Sequence, residues 1–317
     1  MNVDIRSGTL PLDHGHRMAF EDSGRPDALP VVYLHGGPGA AMEPHMRTVH
    51  DAALFRFIMF DQRGCGRSTP AGGLAHNETA YLVEDIERLR RHLGIERWIV
   101  SGGSWGSTLA LVYAQAHPER CLALVLRGLF LGTQAEMDWL AEGAPRFFPE
   151  AWHEASAGGP DASPLQRLHA LQDRVLAPAD EAEALQAALS LARFEWTASA
   201  LQADRAAIDA ELTPDYTLAY QRVCCHYLRH GCFLDPVALL EGVARIRHLP
   251  CHILNGRFDV VCPPAAAWRL KQAWPEAELE IVPVAGHTST EPAMSAALLA
   301  VMERLARRLS GSEGAAA

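Results

Sequence analysis

No C-x-x-C pair occurs in this chain, no apolar run approaches the width of a bilayer, and basic residues are outnumbered by acidic ones. Each shortage removes a class of function. Without cysteine pairs at ligand spacing there is no structural zinc motif, and no metal is expected. The seven cysteines (Cys65, Cys121, Cys224, Cys225, Cys232, Cys251 and Cys262) are odd in number and irregularly spaced, which argues against a disulfide framework. The most apolar run, residues 121–126, stops at Arg127, far short of the ~20 residues that span a bilayer. Residues 1–6 are polar and hold no secretory hydrophobic region, so a cytoplasmic location is expected. The formal net charge of −10 disfavours nucleic acid and anionic membranes as partners and mildly attracts a cationic substrate. Lys271 is the only lysine; the arginine bias reads as composition, not chemistry.

What is present suffices for one large core, since 49% of the 317 residues are hydrophobic. Val31-Val32-Tyr33-Leu34 runs into His35-Gly36-Gly37-Pro38-Gly39, and Phe57-Ile58-Met59-Phe60 runs into Asp61-Gln62-Arg63-Gly64. Residues 79–93 carry Leu82, Ile86, Leu89 and Leu93 at helical spacing. A short β-rich run at 97–100, an apolar helical run at 108–114 and a strand-like run at 121–126 follow. Near the end, His252-Ile253-Leu254 leads to Asp259, Leu279-Glu280-Ile281-Val282 leads to His287, and a last helix covers about 291–309. Strands that are apolar throughout and separated by helices predict a mostly parallel sheet with helices on both faces. Between 131 and 245 the strand-like runs vanish. That stretch reads as a helical insertion, with an amphipathic helix at 180–193 and a loop at 157–164. The expected division is therefore a sheet domain from 1–130 and 246–317, interrupted by helices at 131–245. Residues 311–317 read as a frayed tail.

Gly102-Gly103-Ser104-Trp105-Gly106 fits the G-x-S-x-G nucleophile elbow, in which a tight strand-to-helix turn carries the serine and small neighbours avoid a clash. Such a serine needs an acid and then a histidine later in the chain. Asp259 and His287 each lie just past a strand end, where sites form in open parallel sheets. Ser104 is thus expected to attack a carbonyl, His287 to move the proton, and Asp259 to orient the imidazole. The backbone N–H groups of Gly37 and Trp105 are the expected oxyanion hole. In the glycine-rich segment 61–68, Asp61 and Arg63 are read as fixing loops through ion pairs and hydrogen bonds. Cys65 there is read as close enough to the site to confer sensitivity to thiol reagents.

His35-Gly-Gly-Pro-Gly39, Asp61-Gln-Arg-Gly-Cys-Gly-Arg-Ser68, Gly102-Gly-Ser-Trp-Gly-Ser107, Gly256-Arg-Phe-Asp259 and Gly286-His287 together resemble the prolyl aminopeptidases, or proline iminopeptidases. The resemblance runs from about residue 8 to 305. It implies an α/β-hydrolase fold with an inserted helical cap, and release of N-terminal proline from small peptides through a Ser-His-Asp acyl-enzyme. It also implies that no cofactor is needed. Leu126-Arg127-Gly128-Leu129-Phe130 is similar to a family segment whose Arg and Phe help form the substrate pocket, which assigns Arg127 and Phe130 to substrate binding. Two cap glutamates of the family hold the substrate's α-ammonium. Glu195, after Phe194, matches the first; in Arg222-Val223-Cys224-Cys225-His226-Tyr227, Cys224 stands where the second belongs. A charge-assisted hydrogen bond contributes ~1.5–3 kcal/mol, so the loss of one carboxylate weakens proline-peptide binding. A Cys224 thiolate, favoured by a nearby cation, would substitute in part. On this ground a related hydrolase acting on a different small ester or amide stays open. A non-catalytic binding protein is disfavoured by the complete Ser/Asp/His set.

Overall fold

The structure, a computed structural model, describes residues 5–156 and 162–313. The strands are β1 (Ile5–Pro11), β2 (Arg17–Ser23), β3 (Leu29–Leu34), β4 (Phe55–Phe60), β5 (Trp98–Gly103), β6 (Cys121–Arg127), β7 (Cys251–Gly256) and β8 (Glu278–Val282). They form one sheet in the order β1-β2-β4-β3-β5-β6-β7-β8. β1 with β2 and β2 with β4 are antiparallel; every other neighbouring pair is parallel. The β1–β2 hairpin has no counterpart in the sequence reading. β1 is an edge strand exposed along most of its length, so it lacks the apolar run that marks the interior strands.

The helices are α1 (Thr79–His92), α2 (Trp105–Ala116), α3 (Gln134–Glu142), α4 (Pro149–Ala155), α5 (Pro164–Leu176), α6 (Glu181–Ser199), α7 (Arg205–Glu211), α8 (Pro214–Arg229), α9 (Pro236–Glu241), α10 (Pro264–Ala273) and α11 (Pro292–Glu313). Alternate side chains of each strand point to opposite faces. Val31, Tyr33, Phe57, Met59, Ile99 and Val125 pack with Met294, Leu298, Val301 and Leu305 of α11. Val32, Leu34, Ile58, Val100, Leu124 and Leu126 share the other core with side chains of α1, α2 and α10. Burial on both faces is why these strands read as unbroken apolar runs.

Between β6 and β7 the described regular elements are all helical. They have a core of their own, built from Trp152, Leu168, Val175, Leu191, Phe194 and Leu218. α6 starts at the Asp180 cap, whose side chain accepts the Glu183 N–H, and runs past the expected end at 193 to Ser199. Of the loop expected at 157–164, residues 157–161 lie outside the described residues, and Pro164 already opens α5. α11 continues to Glu313, so residues 311–313 are helical where a frayed tail was expected; 314–317 lie outside the described residues. Among the described residues no helix is long and apolar enough to cross a membrane.

Candidate active site

Ser104 sits between β5 and α2 with φ 55° and ψ −126°. A serine in this region carries strain of about 1–3 kcal/mol, which the surroundings must hold. They do so from both sides: the Ser104 N–H donates to the Arg127 carbonyl at 2.8 Å, and the Ser104 carbonyl accepts the Ser107 N–H at 2.8 Å and its hydroxyl at 2.6 Å. The glycines are dictated by contact. A Cβ on Gly106 would lie 1.9 Å from the Leu34 carbonyl oxygen, and one on Gly102 would lie 2.2 Å from that of Gly106.

The turns after β7 and β8 bring Asp259 and His287 together. His287 Nδ1 and Asp259 Oδ2 are 2.8 Å apart, and Oδ1 accepts the Cys262 N–H at 2.7 Å. The backbone of His287 is held as well, its N–H by the Ser199 carbonyl at 2.9 Å and its carbonyl by Arg127 Nη1. Ser104 and His287 line one cleft of about 1050 Å³. Among the described residues their side chains share no hydrogen bond; the serine hydroxyl instead contacts the Cys262 thiol. Catalytic contacts in a free enzyme often tighten only when substrate binds. Burial pushes the Cys262 thiol well up. The cysteine that touches the candidate nucleophile is therefore Cys262. Cys65, expected near the site, does not line the cleft; its buried thiol donates to the Arg63 carbonyl at 3.2 Å.

The N–H groups of Gly37 and Trp105 have no protein partner among the described residues. Trp105 is the first residue of α2, where backbone donors are left over. Gly37 has φ 106°, and a Cβ there would meet the N of Gly39 at 2.6 Å. Gln62 ties the two loops together. It donates from Nε2 to the His35 carbonyl at 2.9 Å and from its backbone to His35 Nε2 at 3.0 Å, and its Oε1 accepts Trp105 Nε1–H at 2.9 Å. Within its motif no sequence signal singles out Gln62 for this role, since its partners, His35 and Trp105, come from two other segments. Its neighbours fix loops. Asp61 accepts the N–H groups of Met42 at 2.6 Å and Arg67 at 2.8 Å; the buried Arg63 pairs with Asp85 and Asp13 and donates to the His76 carbonyl at 2.8 Å.

The cleft is also lined by Phe130, from the loop after β6, and by Glu195 of α6 and Tyr220 and Cys224 of α8. Burial raises the Glu195 carboxyl above the ordinary range, against hydrogen bonds from Gln221 at 2.8 Å and the Tyr220 hydroxyl at 2.9 Å that favour its charge. Both bonds land on Oε2, and no described residue bonds Oε1. Cys224 is 3% exposed, and burial, then the charge of Glu195, hold its thiol well above the usual value. This overturns the expected thiolate: the near charge is an anion, not a cation, so Cys224 is a neutral thiol. Arg127 is buried yet lines the cleft, packed against Gly103, and its bond to the His287 carbonyl supports the loop of His287.

A family model described as the alpha/beta hydrolase fold matches residues 30–291. A curated proline iminopeptidase of Xylella fastidiosa (strain Temecula1 / ATCC 700964) is 45% identical over 287 residues, covering 90% of this chain and 91% of that one. Another, from Arabidopsis thaliana, is 42% identical over 301 residues, covering 94% of this chain and 79% of that one. Among solved structures, a proline iminopeptidase-related protein of Thermus thermophilus superposes with a TM-score of 0.62 at 22% identity, over 97% of this chain and 99% of that one. A haloalkane dehalogenase variant from Bradyrhizobium elkanii gives 0.69 at 16% identity, over 98% and 99%. At such identities the structural likeness speaks for the fold alone.

Proposed function

The chain belongs to the proline iminopeptidase family of α/β hydrolases, and from that premise we propose that it releases N-terminal proline from small peptides through an acyl-enzyme on Ser104. It is a serine hydrolase. The substrate's cationic terminus lies against Glu195, and Phe130 lines the same cleft. Ser104 Oγ attacks the prolyl carbonyl and passes its proton to Nε2 of His287, while Asp259 holds Nδ1 and stabilises the imidazolium. The oxyanion meets the N–H groups of Gly37 and Trp105, each worth ~3 kcal/mol in the transition state. His287 then protonates the leaving amine, and water repeats the sequence to free proline. No cofactor or metal is assigned a step. The helices of 131–245 act as a cap that encloses the proline end of the substrate over the sheet core of 1–130 and 246–317. The protein is read as cytoplasmic, as the family resemblance implies, and its net charge of −10 favours small peptides over nucleic acid or anionic membranes as partners.

The observation that carries this reading is the 2.8 Å Asp259–His287 contact, whose histidine lines one cleft with a serine on a strained elbow and with Glu195. A second reading, a small ester or amide without a free imino terminus, draws on the neutral Cys224. Rates on proline p-nitroanilide, an N-blocked proline p-nitroanilide and p-nitrophenyl acetate separate the two. The peptidase reading expects strong preference for the unblocked proline, and loss of at least ~10³-fold in kcat in Ser104→Ala with circular dichroism unchanged. Preference for the blocked anilide or the plain ester selects the second reading, and wild-type turnover by Ser104→Ala overturns the serine assignment.

A further inference from the structure

The cleft holds carboxylates that the reaction above does not use, and Glu43 is one of them. It stands a quarter exposed, beside His45 and Ser289. The Tyr33 hydroxyl donates to Oε1 at 3.1 Å, and the Ser289 hydroxyl lies 3.4 Å from Oε2. His45 Nε2 is 3.3 Å from Oε2 and 2.8 Å from Ser289 Oγ. Burial opposes the charge on Glu43, but the His45 bond and the charges of Arg127, His45 and His35 hold the carboxyl below its ordinary range. It is an anion at neutral pH.

Position gives this anion a use. Ser289 stands two residues after His287, so Glu43 is tied to the loop that carries the imidazole, whereas Glu195 is tied to Tyr220 and Gln221 of α8. The imidazole must hand its proton to the leaving nitrogen, so the departing half of the substrate lies against His287. Ser289, His45 and Glu43 line the same cleft as that imidazole. The electrostatics of the whole cleft point the same way. Its lining carries Glu43, Glu136, Glu195, Asp204, Glu211 and Glu291 against the guanidinium of Arg127. Glu136 and Glu291 are occupied by backbone N–H groups, of Leu131 and Thr133 and of Leu201 and Gly286. Such a one-signed wall concentrates cations at the mouth.

We propose that Glu43 recognises a cationic side chain on the residue after the N-terminal proline, so that Pro-Lys and Pro-Arg peptides are preferred over neutral and acidic ones. This rests on the peptidase reading above. Glu43 is a specificity residue in this scheme, and the ammonium of the proline itself stays with Glu195.

The test uses the full chain and three C-terminally amidated dipeptides, Pro-Lys, Pro-Ala and Pro-Glu, with p-nitrophenyl acetate beside them. The wild type is expected to give a Pro-Lys to Pro-Glu ratio of kcat/KM of about tenfold or more at low salt, shrinking as salt screens the cleft. Glu43→Gln is expected to lower that ratio at least severalfold, and Glu43→Asp to recover part of it. Because the ratio is taken within one enzyme, a general loss of activity does not distort it. Equal rates on the three dipeptides in the wild type overturn the proposal whatever the variants do, and so does an undiminished ratio in Glu43→Gln. Turnover of the ester with none of the dipeptides overturns the peptidase reading itself.

Discussion

Replacing Cys224 by glutamate would put a second carboxylate at the ammonium end of the cleft. Cys224 lies one helical turn beyond Tyr220 and Gln221 on α8, the same two side chains that hold Glu195 Oε2. Two opposing effects set the magnitude. With the cleft empty, the new carboxylate is desolvated beside an anion whose own ionisation is already disfavoured by burial, a cost of about 1–3 kcal/mol in stability. With a cationic terminus bound, it makes one more charge-assisted hydrogen bond, worth ~1.5–3 kcal/mol or roughly 10- to 150-fold in affinity. The desolvation penalty places the net near the lower end, so KM for proline p-nitroanilide should fall about tenfold. The ammonium is bound alike in ground and transition states, so kcat should hardly move. Initial-rate kinetics give both constants. Urea melts with and without proline should show a less stable free protein that ligand restores. Cys224→Gln, of similar size and uncharged, should leave KM where it was. An unchanged or higher KM in folded Cys224→Glu, or an equal fall in Cys224→Gln, would refute the electrostatic reasoning.

Gln62→Leu keeps the volume but removes the ties between the His35 carbonyl and the Trp105 indole. Loosening two oxyanion donors should cost roughly 10- to 100-fold in kcat with KM within about twofold, and an intact kcat on proline p-nitroanilide would count against the clamp. Acid should weaken proline binding early. The Glu195 carboxyl is raised by burial, so as pH falls it takes up its proton, and loses its hold on a cation, above the ordinary glutamate value of about 4.3. Calorimetric titration of prolinamide into Ser104→Ala follows this without turnover. The curve should be flat and weak in the Ser104→Ala/Glu195→Gln double variant, and an affinity in Ser104→Ala that holds constant down to about pH 4 would sink the burial argument.

The sheet was legible because its interior strands are buried on both faces. Val31 to Leu34 and Phe57 to Phe60 announce themselves as apolar runs, and Asp259 and His287 stand where such runs stop. The β1–β2 hairpin was not, since an exposed edge strand needs no apolar run. In the insertion, α6 was visible through its apolar face, but its end at Ser199 was not: the pattern weakens where α6 reaches Glu195 and the cleft. Gln62, Cys262 and Glu43 escaped for another reason. Each acquires its meaning from partners far along the chain, such as Trp105, Ser104 and Ser289, and a one-dimensional reading has no signal for such contacts. The same limit misjudged Cys224, whose neutral state is set by burial and then by the charge of Glu195 on another helix.

β6 and β7 are neighbours in the sheet, with Leu124 paired to Cys251 and Arg127 to Leu254. The two strands are parallel, so the chain leaves at the carboxyl end of β6 and re-enters at the amino end of β7, a crossover from one edge of the sheet to the other however much lies between. Closing so long an excursion costs little more entropy than closing one half its length, since the penalty grows only with the logarithm of the loop. The excursion is anchored to the sheet domain at particular points: Leu239, Val243 and Ile246 pack into the core under the sheet, and the Ser199 carbonyl accepts the His287 N–H. Between such anchors the connection is a natural place for inheritance to experiment: segments there can be lengthened or traded while the elbow and its histidine keep their register.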